Sequence, residues 1–352
     1  MLELTVSRQR WPMKEVFRIA GHTFSHFDVV VVELAKGEIR AKGEATGVFY
    51  LGETAQSMVA QIEAVRDPIE SGISRQALRA LLPPGGARAA VDAALWDLEA
   101  KSMGIPVYRI AELGPLRPLT TTYTVGADTP GGMAQVAGSY RSAPRLKVKL
   151  TGDAEDVERL RAIRDARPEA WIGIDANQGL TRASLETLLP VLEALDVRLI
   201  EQPLPVGRDA ELRGLGSPIP LGADESVQCL ADLARVQGIF DVVNIKLDKC
   251  GGLTESLEMV REIRRLGMKP MVGCMLSTTL GIAPAFVVGQ LCDFADLDAP
   301  MFLANDRAPK ATYRNGSIHC PVDWGFPSSG RAAPLAVPDT DSSPAASPRQ
   351  HP

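Results

Sequence analysis

The stretch Arg145-Leu-Lys-Val-Lys-Leu150 alternates apolar and cationic side chains. This period of two predicts a β-strand, on which Lys147 and Lys149 point to the same face. Two ammonium groups held side by side and away from solvent disfavour each other's protonation. We therefore expect one of them to have a lowered pKa and to act as a general base. An edge strand with two solvated lysines is the simpler interpretation of this stretch taken alone.

Strand-like runs of the same kind recur from residue 120 onward and alternate with helical stretches. Such alternation predicts a parallel barrel; a doubly wound open sheet is less favoured, because no glycine-rich phosphate-binding turn follows the first strand. The strands are expected at Thr120–Val125, Arg145–Leu150, Trp171–Asp175, Arg198–Glu201, Ile219–Asp224, Asp241–Lys246, Lys269–Gly273 and Phe294–Leu297. The helices between them include Ala154–Ala166, Arg182–Ala194, Leu253–Leu266 and Thr278–Gly289.

Residues 1–118 have a different pattern, in which strands come first and helices follow. Three antiparallel strands are expected at Leu2–Val6, Val16–Ala20 and Phe27–Ala35, and helices near Thr54–Val65, Ser74–Leu82 and Ala87–Met103. This order predicts an α+β domain packed onto the barrel of residues 119–299. Aromatic residues in 300–326 predict that this segment packs back on the first domain. Residues 327–352, rich in Ser, Pro and Ala, are expected to be disordered.

Composition narrows the class of protein. Of 352 residues, 45% are hydrophobic and 23% charged, which is typical of a soluble globular enzyme. A formal charge of −5 gives no electrostatic reason to expect nucleic acid or an anionic membrane as a partner. The five cysteines are widely spaced, so reduced thiols are expected rather than a zinc cluster. With no signal-peptide pattern at the start, a cytoplasmic location is predicted, and a homo-oligomer is compatible with the sequence.

Acidic residues follow three successive predicted barrel strands: Asp175, Glu201 and Asp224. Since the carboxyl ends of barrel strands meet at one rim, these side chains should converge there. Three carboxylates in contact repel one another unless a cation lies between them, and an all-oxygen set selects a hard ion. We therefore expect one Mg²⁺ per subunit. The alternative is that each acid caps the following helix or pairs with a surface lysine.

Two lysines flank this expected metal site from the neighbouring strands, Lys149 on one side and Lys246 on the other. They would approach a bound substrate from opposite faces, which suits removal of a proton from a carbon on one face and its return on the other. Lys147 would lower the pKa of Lys149 and add positive charge near a substrate carboxylate.

The motifs at these positions, in this order, resemble the enolase superfamily and, within it, the muconate-lactonizing-enzyme subgroup. They are Lys-x-Lys, Asp-x-Asn, Glu-Gln-Pro, Ala-Asp-Glu-Ser and Asn-Ile-Lys, and the resemblance spans about residues 1–326. It implies a modified (β/α)7β barrel with an α+β capping domain, a Mg²⁺ ion, and Asn177 and Glu225 as supporting residues. The subgroup with a histidine base is disfavoured, because no histidine lies between His26 and His319.

Within that subgroup the chain is most similar to dipeptide epimerases. The resemblance rests on the segment 243–254, on Gly273-Cys-Met275 and on the segment 294–300. It implies that Asp296 and Asp298 receive the free ammonium group of a dipeptide and that Met275 contacts substrate.

The capping-domain loops depart from the glutamate-specific members of that family, which the resemblance expects to carry arginines there. The matching stretches, 19–26 and 46–52, contain no arginine, and Arg18 lies just outside. Phe24 and Tyr50, with Phe49 and Leu51, instead favour a neutral, apolar second residue in an L-Ala-Xaa substrate. Three alternatives stay open: an L-Ala-D/L-Glu epimerase of murein peptide metabolism, an N-succinylamino-acid racemase or o-succinylbenzoate synthase, and a catalytically silent metal-binding barrel.

Overall fold

An antiparallel sheet of three long strands begins the chain in the computed structural model, which describes residues 2–19, 22–321 and 323–327. Strand β1 pairs with β2, and β2 pairs with β3. The register of β1 against β2 shifts between Pro12 and Phe17, where proline interrupts the ladder. The bounds are β1 Glu3–Ile19, β2 His22–Lys36 and β3 Ile39–Ala45.

The strand prediction for this region is wrong in its division. Leu2–Val6 and most of Val16–Ala20 belong to the single strand β1, Phe27–Ala35 belongs to β2, and β3 was not expected. Between the two predicted segments, charged side chains of β1 are paired across the ladder, so the strand continues: Arg10 donates to Asp28 on β2 at 2.8 Å. Ala20 lies outside the described residues.

Five helices follow the sheet among the described residues of the first domain, and the longest of them, α4 (Gly86–Met103), packs against it. It crosses β3 at Gly43, where a Cβ atom would clash with the backbone of Ala90 and Ala94. On its other side, Trp96 donates its indole N–H to Thr254 of the barrel at 2.9 Å. The helices are α1 Ala55–Glu63, α2 Arg66–Glu70, α3 Arg75–Leu81, α4 Gly86–Met103 and α5 Val107–Ile110.

Eight parallel strands, β5 to β12, follow one another in sequence order around a barrel. The first and last strands are joined by a hydrogen bond from the Thr122 N–H to the Ala295 carbonyl at 3.0 Å. The strands are β5 Tyr123–Val125, β6 Arg145–Lys149, β7 Trp171–Asp175, β8 Val197–Glu201, β9 Leu221–Ala223, β10 Val242–Lys246, β11 Lys269–Gly273 and β12 Phe294–Asp296. The predicted α/β fold, a (β/α)7β barrel with an N-terminal α+β capping domain, is confirmed.

The helices of the barrel are α6 Pro130–Ser139, α7 Asp156–Ala166, α8 Arg182–Ala194, α9 Leu233–Val236, α10 Leu247–Cys250, α11 Leu253–Arg265 and α12 Thr279–Gly289. The sequence did not predict α6, α9 or α10. The predicted strand Thr120–Val125 is divided, because Leu119–Thr120 (β4) pairs instead with β14 in a small separate sheet. That sheet contains β13 Thr312–Arg314 and β14 Ser317–His319.

The segment after the barrel returns to the first region. Trp324 donates its indole N–H to the Lys42 carbonyl at 2.9 Å, and the Gly325 N–H donates to Asp97 at 2.7 Å. The domain limits at residues 118 and 299 stay predictions, and the predicted disorder of 327–352 falls, beyond Pro327, outside the described residues. Among the described helices, none has both the length and the apolar character needed to cross a membrane.

Candidate active site

Three buried carboxylates meet at the carboxyl-terminal rim of the barrel. Asp175 ends β7, Glu201 ends β8 beside it in register, and Asp224 directly follows β9. One oxygen from each of the three lies within 4.8 Å of the others. The structure therefore brings together the acids that the sequence singled out, and the alternative of separate surface caps is not what is observed.

The chemistry of this cluster fits a hard divalent cation. The three side chains offer only oxygen atoms, and all three are at most 1% exposed, so water cannot screen their repulsion. Burial, together with the charges of Asp175 and Asp224, raises the pKa of Glu201 to about 7, although Lys147 opposes this shift. A carboxyl group in this environment is stabilised as an anion by additional positive charge.

Lys149 and Lys246 stand on opposite sides of the cluster, since β6 and β10 flank β7, β8 and β9 in the sheet. The Lys149 ammonium donates to Asp175 Oδ2 at 2.6 Å. The Lys246 ammonium donates to Asp224 Oδ2 at 2.7 Å. Both side chains line the same cavity, so a molecule bound there lies between two amines.

Lys147 lies on the same face of β6 as Lys149, as predicted, and it is not the lysine of the pair with a lowered pKa. Its ammonium contacts Asp175 at 3.0 Å, Glu201 at 2.9 Å and Asp296 at 2.8 Å. Burial lowers the pKa of Lys147, but these carboxylates outweigh it and raise the pKa well above its usual range. The alternative interpretation, an edge strand with two solvated lysines, is wrong, because β6 lies between β5 and β7 and Lys147 is buried.

Two aspartates at the end of β12 are buried: Asp296 is the last residue of the strand, and Asp298 lies two residues beyond it. Asp296 accepts hydrogen bonds from the Thr122 hydroxyl at 2.6 Å and from Lys147 at 2.8 Å. Asp298 accepts the backbone N–H of Thr124 at 2.6 Å. Burial, together with the charge of Asp296, raises the pKa of Asp298 to about 7, so this carboxylate in particular gains from a cationic ligand.

Asn177 and Glu225 line the cavity and are hydrogen-bonded to each other. Asn177 accepts from Lys149 at 3.2 Å and donates to Glu225 at 3.4 Å. Its φ of 41° lies in the left-handed region, which asparagine tolerates better than most residues. The second carboxylate oxygen of Glu225 is buried and has no hydrogen-bond partner among the described residues.

Two residues of this rim were missed by the sequence analysis. Lys249, on the short helix after β10, donates to the Asp224 side chain at 2.7 Å and to its carbonyl at 2.5 Å. Gln202, which follows Glu201, binds the backbone of Asp224 and Ser226. For Lys249 a signal existed, because a lysine three residues after Lys246 follows the carboxyl end of a predicted barrel strand closely enough to reach the rim. For Gln202 no charge pattern marked the residue.

A cavity of about 390 Å³ opens between this rim and the capping-domain loops, a size typical of small-molecule sites. The predicted substrate-binding and supporting residues line this cavity: Phe24, Tyr50, Met275, Asp296, Asp298, Asn177 and Glu225. The metal-site acids Asp175 and Glu201 lie beneath the lining and contact its lysines. The rings of Phe24 and Phe49 are 5.5 Å apart, and those of Phe49 and Tyr50 are 5.4 Å apart, in edge-to-face contact.

No arginine lines the cavity among the described residues. Arg8 and Arg10 both donate hydrogen bonds to Asp28, which lines the cavity, and the negative charge of Asp28 partly compensates their positive charges. His26 also lines the cavity, near its solvent-exposed edge. The side chain of Arg18 lies outside the described residues.

Family models match both parts of this architecture. Residues 1–111 match the N-terminal domain of mandelate racemase and muconate lactonizing enzyme, and residues 133–326 match the enolase C-terminal domain-like family. The chain belongs to the enolase superfamily. The resemblance inferred from the rim motifs is thereby confirmed.

Members of the superfamily that are similar to this chain act on dipeptides according to their names or contain a bound dipeptide. The L-Ala-D/L-Glu epimerase of Escherichia coli strain K12 is 38% identical over 321 residues, which cover 91% of this chain and 100% of that protein. A crystal structure from Agrobacterium tumefaciens, described as an enolase family member with homology to dipeptide epimerases, holds sodium and L-Ala-L-Glu. It is 43% identical, with a TM-score of 0.89, and covers 91% of this chain and 98% of its own.

A dipeptide epimerase from Enterococcus faecalis V583 was solved with Mg and the dipeptide L-Leu-L-Tyr. It is 29% identical, has a TM-score of 0.83, and covers 92% of this chain and 97% of its own. The superfamily members that resemble this chain thus include one bound to an acidic dipeptide and one bound to an apolar dipeptide.

Proposed function

We propose that this enolase-superfamily member is a Mg²⁺-dependent dipeptide epimerase, an isomerase that inverts the α-carbon of the C-terminal residue of L-Ala-Xaa dipeptides. The observation that carries the proposal is the pair of amines on opposite sides of one cavity. Lys149 is bonded to the first acid of the cluster and Lys246 to the third. Inversion at a carbon requires an acid and a base on opposite faces, and these lysines supply both.

Asp175, Glu201 and Asp224 would hold one Mg²⁺ per subunit. When bound there, the ion would supply positive charge for a substrate carboxylate whose α-carbon is deprotonated. Lys147, bonded to Asp175 and Glu201 from the cavity side, adds a fixed positive charge at the same place. Because three carboxylates enclose its ammonium at 2.8–3.0 Å, Lys147 acts as a fixed charge rather than as a base.

The proton balance uses the two remaining lysines alternately. One lysine, neutral at Nζ, takes the α-proton, and the electrons of the broken C–H bond move into the adjacent carboxylate. The other lysine, protonated, gives its proton to the opposite face of the same carbon. The product has the inverted configuration, and the reverse reaction exchanges the roles of Lys149 and Lys246.

Asp298 and Asp296 would bind the free ammonium group at the other end of the dipeptide. Asp296 is already bonded to the cationic Lys147, whereas Asp298 accepts its hydrogen bond from a neutral backbone N–H. We therefore assign the larger part of ammonium binding to Asp298. An N-acylated substrate offers no charge to this carboxylate, which disfavours N-succinylamino-acid racemase and o-succinylbenzoate synthase activities.

The second residue of the substrate would lie under the edge-to-face row of Phe24, Phe49 and Tyr50. A neutral, apolar side chain suits this surface, since a carboxylate buried there without a cation would be costly. The competing candidate is L-Ala-D/L-Glu epimerase activity, which the similarity to the Agrobacterium structure with L-Ala-L-Glu favours. We further propose that the protein is cytoplasmic and assembles as a homo-oligomer, as the sequence predicts.

The test is a library of L-Ala-L-Xaa dipeptides incubated with enzyme and Mg²⁺ in deuterium oxide. Deuterium at the α-carbon of Xaa, with appearance of the D-epimer, is the expected result for several apolar residues at similar rates. Apolar pockets discriminate weakly, by roughly 1–3 kcal/mol per methylene. L-Ala-L-Glu far ahead of every apolar dipeptide would assign the competing activity instead, and no exchange with any dipeptide would refute both.

A further inference from the structure

Gln202 occupies an unusual place in the rim. It follows Glu201 at the end of β8, is fully buried, and has a φ of 34° in the left-handed region. A residue other than glycine keeps such a conformation only where its surroundings over-determine it, and such residues cluster at functional sites. The hydrogen bonds of Gln202 hold this conformation and, at the same time, restrain the backbone of neighbouring residues.

All four hydrogen-bonding positions of the Gln202 side chain are used. Its oxygen accepts the backbone N–H groups of Asp224 at 3.0 Å and Ser226 at 3.1 Å. Its nitrogen donates to the Leu204 carbonyl and to the Ser226 hydroxyl, both at 2.9 Å. Because two backbone N–H groups can bind only an acceptor, the amide has one allowed orientation, and the residue works as a rigid connector.

The backbone of Gln202 extends the same connection to the neighbouring strands. Its N–H donates to the Gly222 carbonyl in β9, and its carbonyl accepts the N–H of Gln178 beyond β7, both at 2.8 Å. Ser226 in turn donates its hydroxyl to Asp209 at 2.6 Å. One residue therefore ties together the ends of the three strands that carry Asp175, Glu201 and Asp224.

Asp224 is held at its backbone N–H, at its carbonyl and at both carboxylate oxygens. Gln202 binds its N–H, and Lys249 binds its carbonyl and Oδ1. The remaining oxygen, Oδ2, faces Lys246 at 2.7 Å. Both carboxylate oxygens of Asp224 are therefore fixed beside the cluster.

We propose that Gln202 is a positioning residue for the metal site, whose side-chain amide sets the backbone at Asp224 and Ser226 so that the Asp224 carboxylate meets Asp175 and Glu201. The inference rests on the proposed metal-dependent function but not on the choice of dipeptide. Residues that orient metal ligands typically change metal affinity or activity by roughly 10–100-fold when they are replaced.

Calorimetric titration of the full-length protein with MgCl₂, without substrate, tests the proposal. Gln202→Met keeps the volume but removes both acceptor bonds and both donor bonds, and should weaken Mg²⁺ binding by roughly 10–100-fold. Gln202→Asn keeps the amide but withdraws it by one methylene, and should weaken binding about tenfold. The matched control is Gln237→Asn, an exposed amide that precedes β10 and so lies at the end of that strand opposite Lys246; it should bind Mg²⁺ as the parent does.

Positioning and general folding roles give different results. For a positioning residue, the variants should recover most of kcat at saturating Mg²⁺, and Mg²⁺ should raise their melting temperature less than it raises that of the parent. A folded Gln202→Met protein with Mg²⁺ affinity within about twofold of the parent would overturn the proposal. If the methionine variant does not fold, the asparagine variant decides by the same criterion. If neither folds, Gln202 is a folding residue and the proposal is wrong.

The outcome is separable from that of the dipeptide assay. A parent protein that binds Mg²⁺ but epimerises no dipeptide would refute the proposed reaction, while the affinity series would still decide the role of Gln202. A parent protein that binds no Mg²⁺ would refute the metal site and this inference together.

Discussion

The barrel rim and the capping-domain loops face each other across one cavity, but they are built differently. At the rim, buried charged side chains are fixed by short hydrogen bonds, such as 2.6 Å between Lys149 and Asp175 and 2.7 Å between Lys246 and Asp224. In the loops, Tyr50 has one long hydrogen bond, 3.3 Å from Gln228, and Leu51 is 62% exposed.

This difference separates the reaction from its selectivity. Rigid strand ends can hold charges to the accuracy that proton transfer requires, whereas an apolar loop surface discriminates weakly between side chains. Changes at the rim should therefore reduce turnover of every substrate alike. Changes in the loops should alter which substrate is preferred and leave the reaction intact.

The largest expected effect comes from the two flanking lysines. Lys149→Ala and Lys246→Ala should each reduce epimerisation in both directions by about 10²–10⁴-fold, because each direction needs one lysine as base and the other as acid. Chiral chromatography of the product measures this loss. The control is Lys269→Ala, an exposed lysine at the opposite end of β11. Either variant epimerising at the parent rate would show that the two-base assignment is wrong.

The second-largest loss of activity is expected from disruption of the metal site. Glu201→Gln removes a charge but little volume, so activity should fall by about 10²-fold or more while the fold survives, because a ligand itself is lost rather than a residue that orients one. Exhaustive chelation of the parent enzyme should abolish activity, and added Mg²⁺ should restore it. Glu193→Gln, on the exposed face of α8, serves as the control. Full activity after chelation would contradict the metal assignment.

The ammonium site should give an intermediate effect that depends on the substrate. Acetylating the N-terminus of the dipeptide should reduce kcat/KM on the order of 10²-fold, because Asp298 then faces a neutral amide. In Asp298→Asn, the free and acetylated dipeptides should differ much less. Steady-state kinetics on the four combinations measures this coupling. An equal penalty for acetylation in both proteins would place the ammonium elsewhere.

The smallest expected effect is a change of preference in the loops. Phe24→Arg should raise kcat/KM for L-Ala-L-Glu relative to L-Ala-L-Leu by about tenfold, because a guanidinium in the wall can pair with the glutamate side chain. Ser25→Arg is the matched control, since Phe24 and His26 line the cavity and alternation on β2 points Ser25 the other way. An unchanged ratio in Phe24→Arg would mean that the second residue does not lie under this row.

The sequence predicted the rim more fully than the loops, for a physical reason. Alternating strands and helices place strand-end residues on one rim whatever the details of packing, so the sequence pattern alone was enough to bring Asp175, Glu201 and Asp224 together. The position of Lys147 was predictable in the same way. Its raised pKa was not, because it depends on how closely Asp175, Asp296 and Glu201 approach its ammonium, and the order of the strands does not give those distances.

The errors lie where long-range pairing decides the structure. The two strands predicted at Leu2–Val6 and Val16–Ala20 are parts of one, because cross-strand ion pairs with Asp28 let β1 continue through the charged residues between them. Gln202 carries no charge, and nothing in its local sequence distinguishes a buried connector from a surface amide. Its role follows only from the four partners that the fold brings to it.

Hydrogen exchange at the substrate α-carbon in the two lysine variants tests the central claim most directly. Each variant, saturated with Mg²⁺ in deuterium oxide, is incubated separately with the L,L and the L,D epimer of one accepted dipeptide. Our account predicts complementary results: Lys149→Ala exchanges the α-hydrogen of one epimer only, Lys246→Ala exchanges that of the other, and neither inverts the carbon. Exchange of both epimers by the same variant would contradict the assignment of one lysine to each face.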